Sequence, residues 1–492
     1  MPAFANPGTP FVKGLLPIGS GYESFSQPTT FSESLGGRCQ GAKSFRDADG
    51  TVFTFAGYST KLKKLSGTSW ADVSGATYTT GSDERWSFTQ FGRNIIATNY
   101  NDVMQNYLMG TSSVFAALAG TPPKARYITT LREFVVVGNT TDGVYGAVPH
   151  RVQWSAQGNS TDWVPDAATQ SDFQDLDATD GFIKQVVGGE YGVIFQERAI
   201  TRMTYVGSPL VFQFDKVETD RGTQAPGSVV KVGNLIYYIG TDLKFYVFDG
   251  TRSTPIGANK VDQTFADSID KNYLHRIKGI RDPEKPLIYF FCPANGSYSG
   301  SPYVIWVYNY STNRFSYIDF SIVSLGIDEP FLLYSAGYTL DGLDAISTDL
   351  DSLPYSLDSE LWTGGKPSIA GFLYSDNYLQ VFDGTPLLSQ ICTGLMELND
   401  GQRTNIQSFR PVCNTKQSQV TITINQIAAI RSSNLLTDST VTGGTLTLNA
   451  EGFYRCRTNA RYHQIFTQIT SSSDSYHTTG IELLHAPAAG KR

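Results

Sequence analysis

Two clusters of ionisable side chains are the first candidates for chemistry in this 492-residue chain. The acidic one lies in YTLDGLDAISTDLDSLPYSLDSELWTGG (338–366) and holds Asp341, Asp344, Asp349, Asp351 and Asp358. Glycoside hydrolysis needs two opposed carboxyl groups, one to protonate the leaving oxygen and one to attack or to activate water. The residue types are present, but nothing in their order sets a distance between them, and a solvated acidic loop accounts for the same pattern. Calcium is a second use of carboxylates, yet DLDSLP (349–354) lacks the turn glycine and closing glutamate of a calcium loop. The basic cluster is GFYRCRTNARYHQ (452–464). Arg455 and Arg457 alternate on an expected strand and so point to one face, with Arg461 and His463 following. Two readings stand: an internal salt-bridge set with acidic neighbours, or a contact with a partner subunit or with DNA phosphate. Lys61, Lys63 and Lys64 form a smaller basic group of the kind found in solvated turns.

Other signatures are missing. The five histidines stand in no zinc-binding spacing, and no nucleophile elbow, P-loop or dinucleotide fingerprint occurs. Gly67-Thr68-Ser69-Trp70 resembles the end of a sialidase-type turn, but Leu65 stands where that turn needs aspartate, and the fragment occurs once. The sequence therefore assigns no catalytic residue, no metal and no cofactor, and reads as a structural or binding protein.

The elements that would position these residues are strands. Aromatic residues make up 13% of the chain and charged residues 17%, with 47 glycines marking turns, a balance that favours strands over helices. The net charge of −7 argues against a broad grip on nucleic acid. Five cysteines without a CxxC pair read as free thiols in a reducing compartment. MPAFANPGTPF has no basic and apolar leader pattern, and no apolar run is long enough to span a membrane, so a soluble protein made in a cytosol is expected.

GNLIYYIGTDLKFYVFDGT (233–251) shows the recurring unit: two alternating strands around Gly240-Thr241-Asp242, then a turn at Asp249-Gly250. Similar hairpins are expected to turn at Gly92-Arg93-Asn94, Leu131-Arg132-Glu133, Gly188-Gly189-Glu190, Ser311-Thr312-Asn313 and Ser375-Asp376-Asn377. Units spaced roughly 35–50 residues apart, each of two to four strands, predict a β-propeller over 46–384; a pair of β-sandwiches is the alternative. Acidic stretches at 141–181 and 338–366 read as loop inserts. Longer alternating strands from 385 to 492 predict a β-sandwich-like platform, which the segment 1–45 is expected to join. The expected fold class is all-β.

Several strings carry a family resemblance. PPKARYITTLREFVVVGNT (122–140), VQWSAQGNSTDW (152–163), VVGGEYGVIFQERAITRMTYVG (186–207), VFQFDKVETDRGTQAPGSVVKVGNLIYYI (211–239), PIGANKVDQTFADSID (255–270) and YRCRTNARYHQ (454–464) resemble the tail nozzle or hub protein of short-tailed bacteriophages, also called the packaged-DNA stabilisation protein. The resemblance spans roughly 120–485. It implies a propeller joined to a β-rich platform built from terminal parts of the chain. It also implies a homo-hexameric ring in the virion tail, below the head–tail adaptor, which retains packaged duplex DNA, conducts it on ejection and docks tail fibres or tailspikes. On that reading Arg455, Arg457, Arg461 and His463 are candidates for a subunit or partner interface, and Asp341, Asp344, Asp349 and Asp351 for a channel constriction. A carbohydrate-binding or carbohydrate-cleaving phage propeller is the alternative.

Overall fold

The computed structural model describes residues 9, 11–296, 298–320, 326–334, 349, 367–398, 403–414, 420–427, 440–442, 453–470 and 475–486. They form an all-β protein of many small antiparallel sheets, with one short α-helix, Asp262–Ser268, among the described residues. No helix in them is long and apolar enough to cross a membrane. The chain divides into a larger unit, 30–304 with 320–381, and a smaller one, 1–29 with 305–319 and 382–492.

In the larger unit five four-stranded sheets follow one another, each laid down in chain order. Sheet 1 is Gly41–Arg46, Val52–Gly57, Leu62–Ser66 and Ser69–Asp72; sheet 2 is Ser87–Phe91, Asn94–Thr98, Gln105–Leu108 and Ala116–Ala117. Sheet 3 is Lys124–Leu131, Phe134–Asp142, Gly146–Trp154 and Asp172–Asp175; sheet 4 is Ile183–Val187, Gly192–Gln196, Ala199–Gly207 and Val211–Thr219. Sheet 5 is Val230–Val232, Leu235–Ile239, Phe245–Phe248 and Ser253–Pro255, followed by the antiparallel pair Lys278–Arg281 and Leu287–Cys292. Sheet 6 is Ile327–Leu333, Ser368–Leu373 and Tyr378–Val381, and its fourth strand, Thr29–Ser34, comes from near the start of the chain.

The core lies between successive sheets. Phe55 meets Tyr107 and Phe115 at centroid distances of 4.9 and 5.1 Å, joining sheets 1 and 2. Ile96 packs with Val135 and Val137 between sheets 2 and 3. Val136 and Trp154 pack with Ile194 and Met203 between sheets 3 and 4. Sheet 6 closes on sheet 1 through Phe331 and Phe372 against Ala56 and Trp70. The hairpin of sheet 5 has the expected turn, pairing Ile236 with Phe248 and Tyr238 with Tyr246. Both its faces are buried: Tyr238 and Phe248 face Val193 and Phe195 of sheet 4, while Phe245 meets Phe265 and Phe290 at 4.7 and 5.3 Å on the other side. Burying each such ring contributes roughly 1.5–3 kcal/mol.

The smaller unit has two sheets. In one, Phe11–Lys13 runs parallel to Arg314–Asp319 and antiparallel to Ser389–Cys392, which continues through Tyr462–Ile469 and Val420–Ile427 to Thr440–Thr442. The other orders Leu15–Ile18, Gly21–Ser24, His477–Ala486, Thr404–Cys413 and Tyr454–Ala460. Their shared core takes Val12, Ile422 and Ile465 from the first sheet and Leu15, Phe409 and Tyr454 from the second.

Three expectations are corrected. The stretch 141–181, expected as a loop insert, supplies most of the outer half of sheet 3, and its Trp154 and Trp163 are buried. The hairpin around Ser311-Thr312-Asn313 belongs to the smaller unit, because Phe11–Lys13 adds to its edge and Lys13 pairs with Asp319 at 2.9 Å. Residues 30–45 go with the larger unit, where Thr29–Ser34 completes sheet 6.

Candidate functional site: a charged seam along the first strands

The first strand of each sheet in the larger unit lies beside the first strand of a neighbouring sheet: sheets 1 and 2, 2 and 3, 3 and 4, 5 and the Lys278–Arg281 strand, that strand and sheet 6, and sheet 6 and sheet 1. Side chains stitch this seam. Lys43 Nζ donates to the Phe88 carbonyl at 3.1 Å, Ser87 Oγ to the Arg126 carbonyl at 3.0 Å, and Thr129 Oγ1 accepts from the Gly188 amide at 3.1 Å. Lys231 Nζ donates to the Gly188 carbonyl at 2.8 Å, linking sheets 4 and 5.

Charge concentrates where sheets 6, 1 and 2 meet the Lys278–Arg281 strand. Asp328 and Glu329 are 3% and 4% exposed. Arg38 Nε lies 3.1 Å from Asp328, Lys278 Nζ lies 3.5 Å from Glu329, and Arg85 pairs directly with Glu329. Asp83 faces His275 at 3.3 Å and Arg276 at 3.7 Å. Burial raises the Asp328 carboxyl above its ordinary value against the pull of Arg38. Burial pushes Glu329 the same way, but Arg85, Lys278 and Arg38 outweigh it and hold that carboxyl down. Lys43 touches solvent, yet its ammonium is lowered to about 8, first by restricted hydration and then by Lys278. Five cations, Arg38, Lys43, Arg85, Arg276 and Lys278, thus gather around three carboxylates, Asp83, Asp328 and Glu329, in a chain of net charge −7.

This arrangement holds strands together and leaves a local excess of positive charge. Among the described residues no group of three histidine, cysteine or acidic side chains could hold a metal. The four cysteines whose side chains are described, Cys39, Cys292, Cys392 and Cys413, are free thiols.

None of the residues singled out from the sequence enters this seam. Arg455 is exposed on Tyr454–Ala460, facing away from the core that Tyr454 enters. Arg457 lies on the same strand, with its side chain outside the described residues. Arg461 is tied within the chain to Glu397 at 2.9 Å and lies over the Tyr462 ring. Asp349 is an exposed residue in a bend; Asp341, Asp344, Asp351 and Asp358 lie outside the described residues. Trp70 of the sialidase-like fragment is structural: its indole donates to Ser32 Oγ at 2.8 Å.

His463 corrects the expected interface role. It is fully buried, in phase with Ile465 and Ile469 on the inward face of its strand. Its backbone pairs with Met396, but neither ring nitrogen has a hydrogen-bond partner. Burial lowers its pKa to about 4 from the ordinary 6.5. The unfolded chain therefore takes up the proton first, and stability is lost as pH falls from 6.5 to 4, by about 3 kcal/mol at the lower limit. His463→Leu should flatten this acid limb in urea melts, and an unchanged pH profile in that variant would refute the assignment.

No family model matches the chain, and no curated protein does. Among solved structures, the crystal structure of the computationally designed Ika8 protein is similar over 72% of this chain and 99% of that one, at 7% identity and a TM-score of 0.37, a likeness too slight to carry an argument.

Proposed function

We propose that the larger unit is a seven-bladed β-propeller and that the chain is a structural subunit of a short-tailed phage tail nozzle. The blades are the six four-stranded sheets and a seventh begun by Lys278–Arg281 and Leu287–Cys292, with Thr29–Ser34 closing the ring. Supporting the propeller are the cores between successive sheets and the return of sheet 6 onto sheet 1. The observation that carries the nozzle reading is the make-up of the smaller unit. It is a β unit assembled from both ends of the chain with one piece from the middle, as the sequence resemblance implies for the nozzle platform.

In this reading the chain is a virion tail protein assembled in the host cytoplasm as a homo-hexamer, with a head–tail adaptor on one side and a tail fibre or tailspike docked to it. It performs no catalysis. The net charge of −7 suits a channel that conducts duplex DNA without gripping it, and among the described residues no base-reading element supplies sequence preference. Averaged images of purified tails carrying the labelled protein should show six copies around one axis. Three copies together with release of reducing ends from host polysaccharide would favour a depolymerase and overturn this reading. Arg455→Glu should reduce incorporation into tails while leaving the melting of the isolated chain unchanged, since the side chain is exposed and faces away from the core. Undiminished incorporation would remove Arg455 from the interface.

A further inference from the structure

We propose that Asn295 is a site of spontaneous deamidation, and that its conversion to aspartate or isoaspartate releases the loop 293–296 from the helix Asp262–Ser268. Asn295-Gly296 is the one Asn-Gly pair in the sequence. In the first step the Gly296 amide nitrogen bonds to Asn295 Cγ. The Cγ–Nδ2 bond breaks, Nδ2 leaves as ammonia with the proton of the Gly296 amide, and a five-membered succinimide remains. Water then opens one of the two carbonyl–nitrogen bonds of that ring. One opening gives aspartate; the other gives isoaspartate, in which the main chain runs through the former side chain. Water is the one co-reactant, and nothing is oxidised or reduced.

The local structure leaves the first step open. Glycine brings no Cβ to shield the attacking nitrogen, and both residues are exposed to water. A methyl group built on Gly296 would meet no atom within 4 Å, and among the described residues nothing accepts from its amide. Other exposed asparagines lack this freedom: Asn234 and Asn313 precede Leu235 and Arg314, whose side chains crowd the nitrogen. Asp249-Gly250 offers a glycine nitrogen too, but Asp249 Oδ1 is held by the amides of Thr251 and Arg252 at 2.8 and 2.9 Å, and a carboxylate is a poor electrophile. The consequence follows from what Asn295 holds. Its Nδ2 donates to the Asp267 carbonyl at 2.8 Å and its amide to the Ser268 carbonyl at 2.7 Å, both at the C-terminal end of the helix. Aspartate puts an acceptor where that donor stood, so two oxygens face each other and the bond to Asp267 is lost. Isoaspartate lengthens the main chain and displaces the carbonyl to which Tyr303 donates at 3.0 Å.

The test is to hold the full chain in mildly alkaline buffer at physiological temperature, map its peptides by mass spectrometry at intervals, and follow amide hydrogen exchange on the same samples. Asn295 should convert ahead of every other asparagine, with both aspartate and isoaspartate formed. The reporter of loop release is the Asp270 amide, which donates to the Pro293 carbonyl at 3.0 Å. It should exchange several-fold faster in the aged protein, and as fast in freshly made Asn295→Asp. Asn295→Gln, which keeps an amide but cannot close a five-membered ring, should stay unmodified and keep slow exchange at Asp270 through the same incubation. Conversion of another asparagine first, an Asn295 that stays intact in the folded chain, or conversion that leaves exchange at Asp270 unchanged would each overturn the proposal.

Discussion

Glu329→Ala is expected to cost about 3–5 kcal/mol of folding free energy in urea melts at neutral pH, the usual loss when one partner of a buried ion pair is removed. The side chain sits beside Asp328 in an otherwise apolar strand, IDEPFLL (327–333), at a register shift between Asp328 and Phe331. Pro330 offers no amide to the ladder there, and Glu329 takes a positive φ of 42°, both compatible with a bulge that redirects a side chain. Redirected, the carboxylate meets Arg85 and Lys278 while almost fully shielded from water. Truncation strands both cations beside Arg38 and Lys43. Arg85 and Lys278 hold the Glu329 carboxyl below its ordinary value despite burial. Its contribution is therefore complete above the unfolded pKa of 4.5 and fades as pH falls through the lower folded value. The gap between wild type and variant should narrow in melts taken well below pH 4.5. A loss under 1 kcal/mol at neutral pH would mean that the seam is solvated and that its charges are surface charges.

The sequence carries the strands and turns of this protein more openly than its charged seam. Gly92-Arg93-Asn94, Leu131-Arg132-Glu133 and Ser375-Asp376-Asn377 are local signals, and strands flank each of them where alternation places them. The stretch 141–181 misleads because its acidity suggests a solvated loop. Asp175 is in fact paired with the buried Arg151, which lies over the Phe173 ring at 3.9 Å, and so belongs to a strand. The parallel addition of Phe11–Lys13 to Arg314–Asp319 joins segments some three hundred residues apart, and no local pattern announces it. The seam is hidden for the same reason. Lys43, Arg85, Lys278 and Glu329 share no motif and come together only once distant sheets are adjacent. One sequence feature does point to it: two adjacent acids, Asp328 and Glu329, inside an apolar strand require buried partners. His463 is mistaken for a surface residue because three arginines precede it within nine positions, whereas its own alternation with Ile465 and Ile469 places it inward.

Removing residues 1–35 is expected to abolish recovery of soluble, cooperatively folded protein. The segment supplies strands to both units. In the smaller unit, Phe11–Lys13 lies between Arg314–Asp319 and Ser389–Cys392, so its loss uncouples their ladders. Val12 and Leu15 leave the core. Ser316 Oγ and Ser389 Oγ, both on buried residues, lose the carbonyls of Leu15 and Gly14 to which they donate at 2.6 and 2.9 Å. Each stranded buried donor costs about 1–3 kcal/mol, a large share of the 5–15 kcal/mol by which a domain is ordinarily stable. In the larger unit, loss of Thr29–Ser34 turns Tyr378–Val381 into an edge, removes Leu35 from the cluster around Leu379 and Val381, and leaves the Trp70 indole without Ser32. An apolar edge strand so exposed is a template for aggregation. A shorter truncation separates the two effects. Removing only residues 1–28 retains Thr29–Ser34, and near-UV circular dichroism should then show an aromatic signal and a melting transition from the larger unit, with the transition of the smaller unit gone. If the chain lacking residues 1–35 melts like the intact protein, Thr29–Ser34 does not close the larger unit, and the seven-bladed reading fails with it.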